Sequence, residues 1–325
     1  SHVDDPGVQA LVRDVAAGRI GGLIYLRNNV SSLLETGRMN GLFQRSAEAL
    51  PVLIALDQEG GSIERLTKAV GFTEIPSAAR IAARRSVAEA EQIYADMAAG
   101  LASLGFNLNL GPVVDLNINP ENPIIARYGR SFGDEAPTVA AYASSFIMAH
   151  HRAGLLTALK HFPGHGSAHG DSHEGFVDIT RYWQPRELDP YRMLIGQGLV
   201  DVIMTAHLYH RDHAGGGGVQ LPASLSENWI GKILRRDLGF DGVVISDDME
   251  MGAIRAHFSL REAVVRAVNA GTDILLFSNT ADYRTSLARE VGQILVAEAQ
   301  RDAAFRRRIE ESYRRIVALK GRLPR

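Results

Sequence analysis

Seven short apolar runs, each about the length of a β-strand, recur along the chain and constrain its fold more than any other feature. They are rich in valine, isoleucine and leucine and show little polar alternation, which is typical of strands buried on both faces. Amphipathic stretches separate the runs, and this alternation predicts an α/β fold with a parallel sheet. The predicted strands are Gly22–Leu26, Val52–Leu56, Asn107–Asp115, Leu155–His161, Val202–His207, Val243–Ser246 and Asp273–Phe277. The clearest predicted helices are Val87–Leu104, Pro137–Ala153, Leu225–Asp237 and Leu260–Ala270.

Almost every predicted strand ends in polar residues or is followed at once by them, as at Asp57, Lys160, His207 and Asp247. In a (β/α)8 barrel the active-site residues lie at the carboxyl ends of the strands. An open, doubly wound sheet would gather such residues at a single crevice. Because they follow many strands here, we predict a TIM-type (β/α)8 barrel that forms one domain over residues 1–325.

The number of predicted strands is one short of a complete barrel. A helix over about Pro6–Ala17 precedes the first predicted strand at Gly22–Leu26. We therefore expect that the first barrel strand is missing from the chain, or that the barrel is incomplete. A length of 325 residues is sufficient for a barrel that forms a single domain.

Composition excludes several classes of function. The net charge is −2 with both signs mixed along the chain, so no basic patch predicts a nucleic-acid partner. No run of about 18 apolar residues predicts a membrane span. The chain has no cysteine, which excludes disulfides and thiol catalysis. One low-complexity tract is present, Gly215–Gly218, and we expect a monomer.

A glycine-rich motif, KHFPGHGSAHGDSHEG, occupies Lys160–Gly175 and carries histidines at every fourth position. Such spacing could place metal ligands on one face of a helix. Pro163 and the glycines make a regular helix unfavourable, so the motif is better explained as a long loop after a strand. We therefore expect no metal site.

The Asp171-Ser172-His173 tripeptide lies at the end of this loop. A carboxylate two residues before an imidazole can accept the ring N–H, fix the tautomer and raise the basicity of the ring. His173 could then give a proton to a leaving oxygen and later take one from water. On its own the tripeptide is better explained as an exposed histidine with a local aspartate cap, and it is the glycine-rich context after Lys160-His161 that favours the acid/base interpretation.

A second motif, GFDGVVISDDMEM at Gly239–Met251, combines a turn, a buried strand and two adjacent aspartates. Asp247 at the strand end would point into the barrel mouth, where its carboxylate could attack an anomeric carbon. Asp248 would point the other way and could cap the following helix. Helix capping remains the alternative for both residues.

Together these motifs resemble the bacterial β-N-acetylglucosaminidases of glycoside hydrolase family 3. The resemblance extends over most of the chain, although Ser167-Ala168 departs from the commonest family pattern. The matching segments are LDQEGG at Leu56–Gly61 with Arg65 after it, GPVVDLNINPENPI at Gly111–Ile124, RSFGD at Arg130–Asp134, KHFPGHG with DSH at Lys160–His173, LPASLS at Leu221–Ser226 and LGFDGVVISDDMEM at Leu238–Met251.

The resemblance implies a role for each matching residue. Asp247 is similar in position to the family's nucleophile, and His173 to its acid/base with Asp171 as partner. Arg65 has a second interpretation, in which it mainly orients Asp57 through an ion pair. The residues that match the sugar-binding positions of subsite −1 are Asp57, Arg65, Arg130, Lys160 and His161.

The resemblance further implies the substrate, terminal β-linked N-acetylglucosamine, with peptidoglycan fragments as the expected source. No cofactor is expected. A neutral histidine acid would not repel phosphate, so a phosphorylase that uses the same site remains an alternative, as does a sugar-binding barrel without turnover. The expected compartment is the cytoplasm, or the periplasm or exterior if a signal sequence has been trimmed.

Overall fold

The computed structural model of the chain describes residues 2–215 and 219–324, so most of the glycine tract Gly215–Gly218 lies outside the described residues. Within these ranges the chain forms eight β-strands and ten α-helices, together with a π-helical segment at Asn228–Asp237. The strands are β1 (Gly22–Tyr25), β2 (Leu53–Leu56), β3 (Leu108–Asn109), β4 (Leu156–Phe162), β5 (Val177–Asp178), β6 (Val202–Thr205), β7 (Leu208–Tyr209) and β8 (Val243–Ser246). The helices are α1 (Pro6–Ala16), α2 (Leu33–Ser46), α3 (Ala78–Arg84), α4 (Val87–Ser103), α5 (Ala136–Arg152), α6 (Asp189–Gly196), α7 (Gly252–Arg255), α8 (Leu260–Ala270), α9 (Leu287–Arg301) and α10 (Ala303–Lys320).

Six of the strands form one curled parallel sheet in the order β1-β2-β3-β4-β6-β8. Every crossover between neighbouring strands of this sheet contains a helical segment. The α/β barrel fold predicted from the sequence is therefore confirmed. The barrel is not fully closed, because no strand pairing within the described ranges joins β1 to the chain beyond β8.

Helix ends follow the sequence closely where a serine precedes a glutamate by three residues. Ser86 and Glu89 cap each other's backbone at the start of α4, and Ser259 and Glu262 do the same for α8. Each pair satisfies N–H groups that have no partner within the helix. This explains why the predicted starts of these two helices agree with the structure.

The predicted strand at Asp273–Phe277 is not a regular strand. It lies beside β8 and forms a single parallel bridge there, between Ile245 and Ile274. The N–H of Leu276 donates to the hydroxyl of Ser246 at 3.0 Å instead of to a strand carbonyl. The Ser246 side chain thus replaces one backbone hydrogen bond of the ladder, so the segment occupies a strand position with only a single bridge to β8.

The predicted strand at Asn107–Asp115 is regular only over the two residues of β3. Pro112 has no N–H to donate, which interrupts a ladder in the middle of a sheet. The segment nevertheless continues alongside β4, where Val113 bridges Lys160 and the N–H of Val114 donates to the Lys160 carbonyl at 2.8 Å. It therefore still brings Asp115 to the same edge of the sheet as Lys160.

The sheet separates two hydrophobic cores, one inside the barrel and one between the strands and the helices. Alternate strand residues form the inner core. Residues between them, such as Ile54 and Leu159, pack outward against the helices. The inner set includes Leu53 and Ala55 of β2, Leu156 and Ala158 of β4, and Val243 and Ile245 of β8. Because side chains alternate along a strand, the same face continues into Asp57, Lys160 and Asp247.

Helix α10 lies against both ends of the incomplete barrel. Leu319 in its last turn and Leu323 just after its end pack with the inner strand residues. The Lys320 ammonium donates to the carbonyl of Gly21, just before β1, at 2.8 Å. Nearer its start, Arg308 lies 2.8 Å from Asp273, beside β8. The helix therefore links the first strand of the sheet to the chain after the last.

Candidate active site

The buried ammonium group of Lys160, at the end of β4, lies between two carboxylates that follow β2. Its Nζ is 2.7 Å from Asp57 Oδ1 and 2.6 Å from Glu59 Oε1. The Lys160 side chain is only 2% exposed, so water does little to screen these contacts. The strand ends thus bring together the lysine and aspartate that the sequence places 103 residues apart.

Two arginines complete this charged network. Arg65 donates to Asp57 Oδ2 at 2.7 Å, while the side chain of Gln58 accepts from the Arg65 backbone N–H. Arg130 makes a bidentate pair with Glu59, at 2.9 and 2.8 Å. Fork-like pairs of this kind fix the direction of the guanidinium plane as well as its position.

The charges of the network hold its carboxylates in the ionised form. Burial alone raises the pKa of Asp57, but the positive charges of Lys160 and Arg65 outweigh burial and hold this pKa well below its usual range. Burial likewise raises the pKa of Glu59, and Arg130 and Lys160 more than reverse the effect. The site is therefore charged at neutral pH, which suits it to donate to and accept from a polyhydroxylated ligand.

His161 is oriented by a carboxylate that the sequence analysis did not single out. Its Nδ1 lies 2.7 Å from Asp115 Oδ2, and its Nε2 lies 3.3 Å from Arg130 Nη2. Asp115 is fully buried, and its other oxygen accepts the backbone N–H groups of His161 and His165. Since a carboxylate only accepts, Nδ1 carries a proton, and Nε2 is the nitrogen that faces the network.

The two adjacent aspartates after β8 point to different sides, as the alternation of a strand predicts. The Asp247 carboxylate follows the inner face, and its Oδ1 accepts the N–H of Asp248 at 2.8 Å. The Asp248 carboxylate accepts from the backbone of Glu250 and Ser278, both at 3.0 Å. Asp248 thus stabilises the turn before α7 and the segment beside β8, so its predicted role as a cap of the following helix is only approximately right.

Imidazole groups surround the Asp247 carboxylate. Burial raises its pKa, but His207, His161 and His173, when protonated, together with the N–H of Asp248, lower it below the usual range. A protonated His173, the predicted acid/base, is therefore close enough to lower the pKa of Asp247. The carboxylate is ionised at neutral pH, as a nucleophile must be.

The first half of the loop after β4 is firmly held rather than free. Glu187 accepts from the backbone N–H groups of Gly166 and Ser167, at 3.1 and 3.3 Å, and from the Ser167 hydroxyl at 2.6 Å. A side chain at Gly166 would place its Cβ only 1.6 Å from the Leu116 carbonyl oxygen. Ser167 and Ala168, where the chain departs from the family pattern, are both buried in this arrangement.

The second half of the loop carries the Asp171–His173 pair at the surface. His173 Nδ1 lies 2.7 Å from Asp171 Oδ1, and the His173 side chain is 63% exposed. The loop rests on the chain that follows the nucleophile candidate, since the N–H of Gly252 donates to the His173 carbonyl at 3.2 Å. Any side chain at Gly252 would collide with this part of the loop. The pairing predicted from sequence is therefore present.

The four histidines of the loop motif do not converge. His161 and His165 are buried beside Asp115, His169 packs against Tyr182 with ring centroids 4.1 Å apart, and His173 lies at the surface. Over residues 2–215 and 219–324, no group of three or more histidine, aspartate or glutamate side chains is arranged to hold a metal ion.

Comparison with known proteins identifies the family. Residues 7–319 match the family described as the glycosyl hydrolase family 3 N-terminal domain. The chain belongs to glycosyl hydrolase family 3. This confirms the family predicted from the sequence motifs.

The chain is moderately similar to curated proteins named beta-hexosaminidase. Beta-hexosaminidase LpqI of Mycobacterium tuberculosis is 36% identical over 283 residues, which cover 85% of this chain and 69% of that protein. Beta-hexosaminidase A of Pseudoalteromonas piscicida is 32% identical over 323 residues, which cover 94% of this chain and 54% of that protein. The chain thus spans about half the length of the second relative.

Solved structures of similar proteins share the fold. The β-N-acetylglucosaminidase from Paenibacillus sp. str. FPU-7 superposes with a TM-score of 0.87 at 34% identity, covering 98% of this chain and 59% of that one. The β-N-acetylhexosaminidase from Beutenbergia cavernae gives a TM-score of 0.86 at 30% identity, covering 96% and 93% of the two chains.

The helices can be compared with the requirements of a membrane-spanning segment. In the part of the chain that the structure describes, none of them combines the length and the apolar character that crossing a bilayer requires.

Four buried residues of the site received no role from the sequence. Glu59 and Asp115 follow strand ends just as Asp57 does, so position was a usable signal for both. Glu187 precedes α6 and Ser224 lies in the LPASLS motif, 20 and 17 residues after Ser167 and His207, which they contact. No local pattern marks the last two, because neither follows the end of a strand of the main sheet.

Glu187 makes the stability of the fold depend on pH. Burial raises its pKa to about 7, against the opposing hydrogen bonds from Ser167 and Gln184. Between about pH 4.5 and pH 7 the folded protein keeps a proton that the unfolded chain releases, so this group lowers stability as pH rises through the window. In the variant Glu187→Gln we expect the free energy of unfolding to fall less than in the wild type between pH 4.5 and pH 7. The difference between the two falls should reach at most about 1.4 kcal/mol for each pKa unit by which folding raises the pKa of Glu187. Urea unfolding at several pH values measures both curves.

The matched control for this experiment is Glu310→Gln, on an exposed position of α10. Its stability should follow the wild-type curve across the same window. A Glu187→Gln curve that also runs parallel to the wild-type curve would show that Glu187 titrates normally in the folded protein.

Proposed function

We propose that the chain is a retaining exo-β-N-acetylglucosaminidase that forms a covalent glycosyl ester on Asp247. One observation carries the proposal. In the described part of the site, Asp57 and Glu59 form ion pairs with lysine and arginine, whereas Asp247 forms none and lies on the inner face. A nucleophile needs such a free carboxylate, because a bound cation would compete for its oxygens.

The first step would form the ester and release the leaving group. An Asp247 oxygen attacks the anomeric carbon while His173 gives a proton to the departing glycosidic oxygen. Because Nδ1 of His173 is bonded to Asp171, Nε2 is the nitrogen that carries this proton. Asp171 would stabilise the imidazolium form, much as the buried aspartate of a catalytic triad does.

The second step would reverse these roles. His173, now neutral, takes a proton from water, and the resulting hydroxide attacks the anomeric carbon and displaces the Asp247 carboxylate. Two displacements at one carbon give net retention of the β configuration. The surface position of His173 suits this step, because water must reach the ring, and loop closure would bring the acid into position for the first step.

The charged network would hold the terminal sugar. Asp57 uses one lone pair of each oxygen for Lys160 and Arg65, which leaves others to accept from sugar hydroxyls. Lys160 and Arg130 would donate to further hydroxyls from fixed positions. Arg65 fits both interpretations made from the sequence, since it orients Asp57 through an ion pair and stays 21% exposed at the site.

The wider biological role belongs to the same proposal. Similar proteins named beta-hexosaminidase and β-N-acetylglucosaminidase support N-acetylglucosamine as the sugar that is released. We propose peptidoglycan fragments as its source and the cytoplasm as the compartment. We further propose that residues 1–325 act as one catalytic domain and as a monomer.

The nucleophile can be tested with the two adjacent aspartates. Asp247→Ala should abolish turnover of an aryl N-acetylglucosaminide, because the ester can no longer form. Asp248→Ala should keep most of the activity, since this carboxylate contacts backbone N–H groups on the other side of the strand. Peptide mapping after treatment with a 2-deoxy-2-fluoro-type inactivator identifies the labelled residue. A label on Asp248 would show that the wrong carboxylate was chosen.

The acid/base can be tested with leaving groups of different basicity. His173→Ala should slow a natural disaccharide by about 10²- to 10⁴-fold, the usual contribution of general acid catalysis. An activated phenol departs without protonation, so its release should slow far less. Asp171→Ala should show the same pattern more mildly, because the proton carrier remains. Equal slowing of both kinds of substrate would assign the proton to some other group.

A further inference from the structure

The imidazole of His207 lies just beyond β6, and both of its ring nitrogens form hydrogen bonds. Its Nδ1 is 2.7 Å from the Ser224 hydroxyl, and its Nε2 is 2.9 Å from the backbone carbonyl of Asp248. Both side chains are buried, with His207 only 1% exposed and Ser224 not exposed at all. The LPASLS motif, which the sequence analysis left without a role, supplies this serine.

The tautomer of His207 follows from these partners. A carbonyl oxygen only accepts, so Nε2 must carry a proton and donate it to Asp248. A serine hydroxyl can donate, so Nδ1 accepts the Ser224 proton when the ring is neutral. Burial lowers the pKa of His207, although the neighbouring Asp247 carboxylate and the Asp248 carbonyl act against this. The charged and titratable groups that act on the ring are Asp247, Asp248 and His173.

The same strand end fixes the backbone on both sides of the nucleophile candidate. The Asp247 N–H donates to the Thr205 carbonyl at 3.0 Å, and the Asp248 carbonyl accepts from His207. Between them, the Asp248 N–H donates to Asp247 Oδ1 at 2.8 Å. The direction of the Asp247 carboxylate therefore depends on the backbone of Asp248, whose N–H binds that carboxylate and whose carbonyl accepts from His207.

Ser224 is itself fixed by backbone hydrogen bonds, so the series of contacts from Ser224 through His207 to Asp248 begins at a fixed residue. Its backbone N–H donates to the Ala206 carbonyl at 3.1 Å, and its own carbonyl accepts from the Thr272 hydroxyl at 3.3 Å. It thus contacts the residue directly before His207 on one side and the segment beside β8 on the other.

The partner distinguishes His207 from the two other paired histidines at the site. His161 and His173 each donate from Nδ1 to a carboxylate, that of Asp115 and that of Asp171 respectively. His207 is bonded to a hydroxyl, which has no charge to offer. A cation beside Asp247 would weaken its carboxylate as a nucleophile, whereas a neutral ring can orient the backbone without this penalty.

We propose that Ser224 and His207 form a positioning pair that keeps a neutral, Nε2-protonated imidazole behind the nucleophile and so fixes the direction of the Asp247 carboxylate. This inference rests on the proposed function for its kinetic consequence. The tautomer itself depends only on the contacts of Ser224, His207 and Asp248.

The tautomer can be measured directly by NMR of protein labelled with ¹⁵N-histidine. At pH 7 we expect His207 to show one ring proton, on Nε2 and protected from exchange, with His207→Gln used to assign it among the 11 histidines. In Ser224→Ala the Nδ1 signal should shift and the Nε2 proton should exchange faster, because Nδ1 loses its donor while the Asp248 carbonyl still accepts from Nε2. A wild-type His207 that is protonated on both nitrogens, or on Nδ1 alone, would overturn the proposal.

The kinetic arm uses Ser224→Ala with an aryl N-acetylglucosaminide. The value of kcat and the rate constant of labelling by the fluoro inactivator should both fall by about tenfold, the effect of roughly one lost hydrogen bond in the transition state, while KM stays unchanged. Ser145→Ala removes a buried hydroxyl from α5, far from the site, and should leave both rates as they are. His207→Gln, which keeps an N–H donor, should retain more activity than His207→Leu.

The outcomes separate this inference from the proposed function. If Ser224→Ala lowers the Tm and leaves kcat and the labelling rate unchanged, the pair is merely structural and the inference is wrong. If the wild-type protein neither turns over the substrate nor labels at Asp247, the proposed function fails. The pairing is then judged by the ring proton of His207 alone.

Discussion

The buried ammonium group of Lys160 is the interaction on which the rest of the site depends. It is shared by Asp57 and Glu59, and these carboxylates in turn hold Arg65 and Arg130. Buried ion pairs add little net stability compared with an apolar core, yet removal of one partner typically costs about 3–5 kcal/mol. A network of this kind is better explained by the binding of a polar ligand than by the needs of folding.

Three histidines at the site differ chiefly in their partners. Asp115 holds His161 from inside the barrel, Asp171 holds His173 on the exposed loop, and Ser224 holds His207 behind Asp247. In the proposed mechanism the partner of each histidine determines the role of its ring. Asp171 would stabilise the imidazolium that His173 becomes when it takes a proton, whereas the hydroxyl partner of His207 leaves a ring that only orients its neighbours.

Much of the fold and part of the site could be predicted from the sequence. The strands were recognisable because buried parallel strands are continuously apolar, and their alternation correctly sends Asp57, Lys160 and Asp247 to one face. The two-residue strands β5 and β7 were missed, because so short a pairing leaves no periodic signal. Partners such as Glu59 and Arg130, 71 residues apart, were not predicted to pair, since only the folded sheet brings them together.

Retention of configuration tests the central claim most directly, because it requires both the nucleophile and the second displacement. Proton NMR can follow the anomeric signal of N-acetylglucosamine as it is released from an aryl β-glycoside. The proposed mechanism predicts that the β anomer appears first and the α anomer only later, by spontaneous mutarotation. Initial release of the α anomer would contradict the covalent ester on Asp247.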